Sequence, residues 1–575
     1  MISGELHDQV FAWIAEDPDE RDRSELSALL RTATGTDPDE AVRAADELTD
    51  RFSGRLEFGT AGLRGAMAAG PRRMNRAVVR GTTAALAGWL LYVDPQAAET
   101  GVVIGCDARH RSEEFALEAA SVLAGAGIAV HLLPPRQPTP LLAFAVRYLG
   151  AAAGIMITAS HNPPGDNGYK LYLSDGAQIV PPADLEIEAA TRALRPLSSV
   201  PVAAPDDPLI MRRGDEIATA YLDASCAASP APRGSAWLRY IYTPLHGVAG
   251  RLATRAFEQA GFPPPDIVEA QFEPDPDFRT VAFPNPEEPG SLDLALAQAR
   301  RSGADLILAN DPDGDRLAVA LPDDDAPGGW QMLTGDQVGA LLGAYLLGQD
   351  AARHGADDDP DQQPLVVTTV VSATMLASIA AAAGARYAQT LTGFKWIARA
   401  ADLRPECRFV YGYEEALGYA VGGTVRDKDG ISAALAVLSL AARARSGGKS
   451  LLDAYDALEV AHGVHLTEQV TVPAVAPVHV MSRLRVDPPQ ELAGQPITAT
   501  SDLTGGTADL PSADVLSYRL RGDRVVIRPS GTEPKIKAYL EIVEPVIAGR
   551  LTEARRAARA RMDPLREAVR ALLDG

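Results

Sequence analysis

The chain has 575 residues, 46% apolar and 23% charged, the balance of an ordinary globular protein and not of a disordered or fibrous one. At roughly 150 residues per domain that length implies about four domains, and it is too great for a single core. Asp and Glu total 76 against 54 Lys and Arg, a formal charge of −22 that disfavours nonspecific binding to nucleic acid or anionic lipid.

An anionic ligand must therefore be attracted locally. Cys106, Cys226 and Cys407 are far apart with no CxxC spacing, which suggests neither a disulfide framework nor a zinc site and fits a reducing compartment. The start, MISGELHDQVFAWIAEDPDERDR, is acidic and lacks the basic head and apolar core of a secretory signal. Uncharged runs such as 81–93 fall short of the ~20 residues a membrane span needs. The expected location is cytoplasmic.

Residues 1–55 read as a helical extension, with Val10, Phe11, Trp13 and Ile14 on one helix face, packed on domain I. In domain I, 56–215, apolar GVVIGC, a helix in SEEFALEAASVLAGAG, apolar IAVHLL, a helix near LLAFAVRYLG and apolar AGIMIT form a βαβαβ unit ending at TASHNP. In domain II, 216–328, YIYTPLHG, DIVEA and ADLILA alternate with two helices, and the last strand ends at NDPDGDR. In domain III, 329–460, PLVVTTVVS, RYAQTL and RFVYGY do the same, ending at EEALG before a long apolar helix over 431–444. Each unit thus places a polar, Gly-containing loop after a comparable strand, where open parallel sheets bind ligands. Domain IV, 461–575, with alternating HLTEQVTVPAV and VLSYRLRGDRVVIRPS and a charged terminal helix, reads as smaller and α+β.

The acidic loop is Asp311, Pro312, Asp313, Gly314, Asp315, Arg316. In an extended segment residues i, i+2 and i+4 point the same way, so three carboxylates would converge. At ~4 Å and an effective dielectric near 20, each pair repels by roughly 4 kcal/mol, which a divalent cation would reverse. All-oxygen ligands favour Mg²⁺ before Ca²⁺ or Mn²⁺. An EF-hand is excluded, because its sixth and twelfth positions would be Arg316 and Pro322. The competing reading is a solvated acidic turn.

Ser160 of TASHNP, displayed at a strand end, is available as a nucleophile or phosphoryl carrier but needs electrostatic help. His161 and Lys170 are candidates for proton handling or phosphate neutralisation, and the acidic loop could supply a metal. A capping turn would explain the same run, and a Ser/His/Asp hydrolase is disfavoured because no GxSxG elbow surrounds Ser160. In RPSGTEPK, hydroxyls and amides can converge on phosphate while Arg528 and Lys535 add charge. FGTAGLRG offers Gly59, Gly62, Gly65 and Arg64 in a similar way, unless it is a plain glycine turn. SGGKS at 446–450 is not a P-loop, since its first required glycine is Arg443, and GAG at 125–127 precedes its strand instead of following it. His462 and His465 lack a metal motif and read as structural.

Together TASHNP, DPDGDR, the EEALG loop and RPSGTEPK resemble the four signature loops of the α-D-phosphohexomutase superfamily, in order and separation, from about Arg51 to Lys537. LEFGTAGLRG, TGFKWI and GYEEALGY are more similar to its phosphoglucomutase-2/phosphopentomutase branch than to bacterial phosphomannomutase/phosphoglucomutase. The resemblance implies an α/β, four-domain enzyme: three similar α/β domains with mixed sheets, a smaller C-terminal α+β domain, and a central cleft to which each contributes a loop. It implies a phosphoglucomutase-type isomerase, an intramolecular phosphotransferase interconverting hexose 1-phosphate and 6-phosphate, glucose first. Ser160 would be the phosphoserine, and Mg²⁺ would be held by Asp311, Asp313, Asp315 and a phosphoryl oxygen on Ser160. Arg64 and Lys170 would assist proton transfer and charge stabilisation. Arg316, Gly393, Lys395, Glu414, Lys428, Arg528, Ser530, Gly531 and Thr532 would bind substrate, the last four as the clamp for the distal phosphate. Glucose 1,6-bisphosphate would be activator and intermediate. Because the bisphosphate must turn end over end, a mobile last domain is expected.

Two departures leave the sugar open: Ala416 stands where many phosphoglucomutases have a hydroxyl, and Phe394 and Lys395 replace a Gly-His pairing. The alternatives are phosphomannomutase or phosphopentomutase activity, glucose 1,6-bisphosphate synthesis, a metal-dependent sugar-phosphate hydrolase and a non-catalytic sugar-phosphate sensor. The expected partners are small sugar phosphates, with no nucleic acid and no membrane; the oligomeric state stays open, a monomer included.

Overall fold

The computed structural model describes residues 2–574 except 60–61, 195, 233–234, 355–361, 475 and 531–534. Three helices open the chain, Gly4–Glu16, Glu20–Ala33 and Pro38–Phe52, each begun by a side-chain cap: Ser3 on Leu6 N–H, Asp19 on Arg21 N–H, and Asp37 on the amides of Asp39 and Glu40. Their apolar residues Val10, Trp13, Leu26, Ala44 and Leu48 share a core with Ala69, Ala77 and Leu197 of the α/β unit that follows.

Three mixed sheets repeat one plan. In the first, parallel strands Val102–Cys106, Val130–Leu132, Ala153–Ile157 and Ile210–Arg212 are extended at one edge by antiparallel Asp166–Leu173 and Leu63–Ala66. In the second, parallel Tyr240–Thr243, Asp266–Ile267 and Leu306–Asn310 are followed by antiparallel Leu317–Pro322 and Trp330–Met332. The third has parallel Gln363–Thr369, Arg386–Thr390 and Cys407–Glu414, then antiparallel Gly418–Val421. Each polar loop therefore connects the last parallel strand to a strand that runs straight back beside it. The central parallel strands Val102–Cys106, Ala153–Ile157 and Leu306–Asn310 are buried on both faces, which is why VVIGC, AGIMI and LILAN are unbroken apolar runs.

The fourth sheet is antiparallel throughout, in the order Val464–Pro473, Lys535–Glu544, Arg524–Pro529, Leu516–Arg519, Ala499–Asp502. The terminal helix Leu551–Asp574 covers it with Ala554, Ala558, Met562, Leu565, Val569 and Leu573. One core joins the first three units, reaching from Val103 and Leu142 through Tyr242 and Leu308 to Leu342 and Tyr411, with much of helix Gly430–Ser446 inside it. Such a core holds the three loops rigidly with respect to one another. The fourth unit meets the third through a smaller apolar seam of Val370, Val371, Leu391, Leu503, Val515, Val526 and Tyr539. Among the described residues, no helix is long and apolar enough to cross a membrane.

Candidate active site

Beyond the buried strand Ala153–Ile157 the chain turns sharply, and Ser160 takes φ +53°, a left-handed conformation that serine rarely adopts. Two side chains hold it there. Thr158 Oγ1 accepts the Ser160 N–H at 2.9 Å, and Arg109 Nη2 donates to the Ser160 carbonyl at 2.5 Å. The serine is 1% exposed, and its Oγ donates to Asp311 Oδ2 at 2.8 Å and lies 3.3 Å from His161 Nδ1. Burial, followed by the charges of Arg316 and Arg64, pushes the His161 imidazole well below its ordinary range, so it is neutral at pH 7. Arg64 pairs across the sheet with Gly168 and points Nη1 at Asn162 Oδ1, 3.5 Å away. A Cβ on Gly168 would lie 2.6 Å from the carbonyls of Leu63 and Thr158, so only glycine lets these strands close behind the serine.

The acidic loop is a turn, which corrects the expectation of an extended segment: the Asp311 carbonyl accepts the Gly314 N–H at 2.9 Å, and Gly314 has φ +73°. The carboxylates converge all the same, with one oxygen from each of Asp311, Asp313 and Asp315 within 4.8 Å of the others. The reach of the surrounding groups explains how. Asp311 Oδ1 accepts the Arg316 N–H at 2.9 Å, and Asp313 Oδ2 accepts from Thr139 Oγ1 at 2.5 Å and Lys170 Nζ at 2.6 Å. Asp315 Oδ2 takes Lys170 Nζ at 2.7 Å and Lys428 Nζ at 3.4 Å.

Lys170 is thus a buried bridge between two carboxylates, and its side-chain hydrogen bonds among the described residues go to these and not to Ser160. Burial acts against its charge, but Asp313 and Asp315 outweigh it and keep the ammonium. Burial also presses on Asp313, yet Lys170 and Thr139 hold it below the usual carboxylate range. Among the described residues Asp311 has no such cation in contact; burial and then the charges of Asp313 and Asp315 drive it well up. Among the described residues, the buried Oδ1 atoms of Asp313 and Asp315 have no hydrogen-bond partner. Orphaned buried carboxylate oxygens are costly, and a set of oxygen donors containing two of them fits a hard divalent cation such as Mg²⁺.

Of the other residues singled out in the sequence, Lys428 and Arg316 contact the aspartates of the acidic loop directly. Glu414 ends the strand Cys407–Glu414, 7% exposed, and burial raises it. Lys428 lies 3.4 Å from both Asp315 and Asp427 and 5.5 Å above the Phe394 ring. Asp427 in turn accepts from Tyr172 Oη and Gln178 Nε2, both at 2.7 Å, tying the third unit to the first. Gly393, at φ +111°, starts the short helix Phe394–Ile397, and burial lowers Lys395 there. Arg316 is fixed through its backbone, with Nη1 3.8 Å from Glu287. Arg528 donates to Tyr539 Oη at 3.2 Å, and Ser530 N–H to the Lys535 carbonyl at 2.8 Å. Among the described residues neither Arg528 nor Ser530 bonds to Ser160 or the acidic loop. Gly531 and Thr532 lie outside the described residues.

Sequence reasoning missed Arg109, Thr139, Asp427 and Tyr172. The one available signal was GCDAR, another polar turn after an apolar strand; Thr139 in QPTP carries none.

Family models for phosphoglucomutase/phosphomannomutase match the chain four times: alpha/beta/alpha domain I over 55–197, domain II over 220–324, domain III over 334–460 and the C-terminal domain over 483–558. A probable phosphomannomutase of Haemophilus influenzae is 40% identical over 476 residues, covering 81% of this chain and 93% of that one. A probable phosphoribomutase of Schizosaccharomyces pombe is 36% identical over 573 residues, covering 93% of each. A phosphoglucomutase of Staphylococcus aureus is 32% identical over 529 residues, covering 87% of this chain and 92% of that one.

Proposed function

The chain belongs to the phosphoglucomutase/phosphomannomutase family, and from that premise we propose that this phosphosugar mutase interconverts hexose 1-phosphate and 6-phosphate, glucose first, through a phosphoserine at Ser160. The observation that carries the reading is the buried 2.8 Å contact between Ser160 Oγ and Asp311, loops 151 residues apart in the chain. Asp311, Asp313 and Asp315, with a phosphoryl oxygen on Ser160, would hold Mg²⁺, which when bound neutralises phosphoryl charge.

The remaining chemistry belongs to the side chains. In the first half-reaction a sugar hydroxyl would attack phosphorus on Ser160, so that the P–O bond to Ser160 breaks, one to the sugar forms and the sugar hydroxyl proton leaves. In the second the Ser160 hydroxyl would attack the other phosphate of the bisphosphate, the P–O bond to the sugar breaks, and the released sugar oxygen takes a proton. Neutral His161, with Nδ1 3.3 Å from Ser160 Oγ, would accept the Ser160 hydroxyl proton when the serine attacks. Arg64 and Arg316 offset the charge of the transferring group, while Lys170 and Lys428 offset that of the acidic loop. Glu414 would bind sugar hydroxyls, Gly393 and Lys395 would contact the substrate, and Arg528, Ser530, Gly531 and Thr532 would clamp the distal phosphate. Glucose 1,6-bisphosphate would re-prime the serine.

A pentose phosphate is the second reading, favoured by the Schizosaccharomyces pombe relative, whose match spans 93% of the chain. Turnover of glucose, mannose, ribose and deoxyribose 1-phosphates, each with bisphosphate present, decides between them. The glucose proposal expects the highest kcat/KM for glucose 1-phosphate, and a large pentose preference overturns it. Ser160→Ala should abolish turnover with all four while the fold persists. Release of inorganic phosphate in excess of isomer would replace mutase by hydrolase.

A further inference from the structure

The turn Asp107–Ser112 follows the strand Val102–Cys106 and contains none of the residues given a role in the proposed function, yet its two arginines connect the serine loop to the opening helices. Arg109 is 4% exposed. Its Nη2 donates to the carbonyls of Ser160 at 2.5 Å and Asn162 at 2.7 Å, and its Nη1 to those of Pro163 at 2.8 Å and Asp166 at 3.3 Å. The loop is therefore wrapped around one guanidinium. Asp107 Oδ2 lies 3.3 Å from its Nε, and the Phe278 ring of the second unit covers it at 5.0 Å. No other side chain offers enough donors in one plane to satisfy four such carbonyls.

Two residues on, Arg111 takes φ +63° and faces the other way. It reaches Asp22 at 3.0 Å, Asp19 at 2.5 Å and Glu114 at 2.8 Å. Asp19 and Asp22 belong to the second opening helix, as its cap and its first turn. The turn between the arginines is itself tied down: Ser112 Oγ donates to Asp107 at 2.6 Å, and Asn167 Nδ2 donates to the His110 carbonyl at 3.0 Å.

Given the reading of Ser160 as phosphoryl carrier, we propose that Arg109 is a positioning residue that fixes the Ser160 loop for transfer, and that the N-terminal helices brace it through Arg111. The left-handed backbone at Ser160 is the state under load. Without a group to gather the four carbonyls, the loop would relax and carry Oγ away from Asp311, while the sugar-phosphate contacts on other loops would stay in place.

The test compares Arg109→Lys and the double variant Asp19→Asn/Asp22→Asn with the parent in steady-state kinetics on glucose 1-phosphate. Lysine keeps the charge but cannot span four carbonyls, so kcat should fall by about 100-fold with KM unchanged, the size expected of a displaced reacting group. The double variant retains an N-cap at position 19 and should lower kcat several-fold, again with KM unchanged, and raise amide exchange over residues 158–163. Parent-level kcat in Arg109→Lys, or a loss of activity equal to the loss of folded protein, overturns the proposal. If Arg109→Lys does not fold, the double variant decides: parent kcat and parent exchange overturn the brace. Ser160→Ala assayed alongside separates the two readings. Activity in that variant removes the phosphoserine itself, whereas an inert Ser160→Ala beside a fully active Arg109→Lys removes only this inference.

Discussion

Lys170 shows how a single side chain decides the state of the acidic loop. Two carboxylates at 2.6 and 2.7 Å from one buried ammonium are tolerable, but without it they are left as like charges in the interior. Lys170→Met should therefore destabilise the protein by about 3–5 kcal/mol in a chelator. Millimolar Mg²⁺ should restore a larger share of the melting temperature in this variant than in the parent, because a cation can replace the lost positive charge. Equal Mg²⁺ shifts in both proteins would contradict the assignment of the three aspartates as its ligands.

At the scale of elements, the acidic loop is held from behind by the start of helix Gly430–Ser446. Gly430 N–H lies 3.3 Å from the Gly314 carbonyl, and a Cβ on Gly430 would fall 2.3 Å from the Arg316 carbonyl and 2.5 Å from Asn310 Nδ2. Gly430→Ala should cost about 1–3 kcal/mol, the range for overpacking. It should also weaken Mg²⁺ activation, measured as the metal concentration for half-maximal rate; a stable variant with parent metal dependence would show the two elements to be independent.

The same scale explains what the sequence made legible. Doubly buried parallel strands such as LILAN stand out as apolar runs, and the loops after them carry the chemistry, so the repeat and its site could be read together. The returning strand DNGYKLYL could not. Its buried positions include Asn167, bonded to the His110 carbonyl, and Lys170, bonded to the acidic loop, and these polar residues break the apolar pattern. The convergence of the aspartates was anticipated from strand alternation but arises from a turn at Gly314. Thr139 was invisible because its partner is 174 residues away, and Arg109, 51 residues from Ser160, was marked only by its place in a polar turn after an apolar strand.

Across the whole molecule, the first three units share a core whereas the fourth is joined by a seam and a buried polar cluster. Glu541 accepts from Thr374 N–H at 2.6 Å and His465 Nδ1 at 2.8 Å and pairs with Arg524 at 2.9 Å. Arg524 donates to the carbonyls of Val370 at 2.9 Å and Ser372 at 2.5 Å. Burial works against the Glu541 charge, but His465 and Arg524 prevail and bring its carboxyl down to about 2 from 4.5. A lowered folded pKa gives stability that is complete above pH 4.5 and lost as pH falls toward 2. Over that window the loss is about 3 kcal/mol. Glu541→Gln should flatten this part of the stability–pH curve, measured by denaturant unfolding at fixed pH steps. An unchanged slope would mean that the junction does not depend on this charge.

The proposed function turns on one event, the passage of a phosphoryl group between Ser160 and a sugar phosphate. Intact-mass spectrometry of enzyme primed with glucose 1,6-bisphosphate, before and after excess glucose 1-phosphate, follows it most directly. The account predicts an added ~80 Da, one HPO₃, located on Ser160 and still carried there after turnover, because the bisphosphate intermediate returns a phosphoryl group to the serine. An active enzyme that never carries that mass on Ser160 would contradict it.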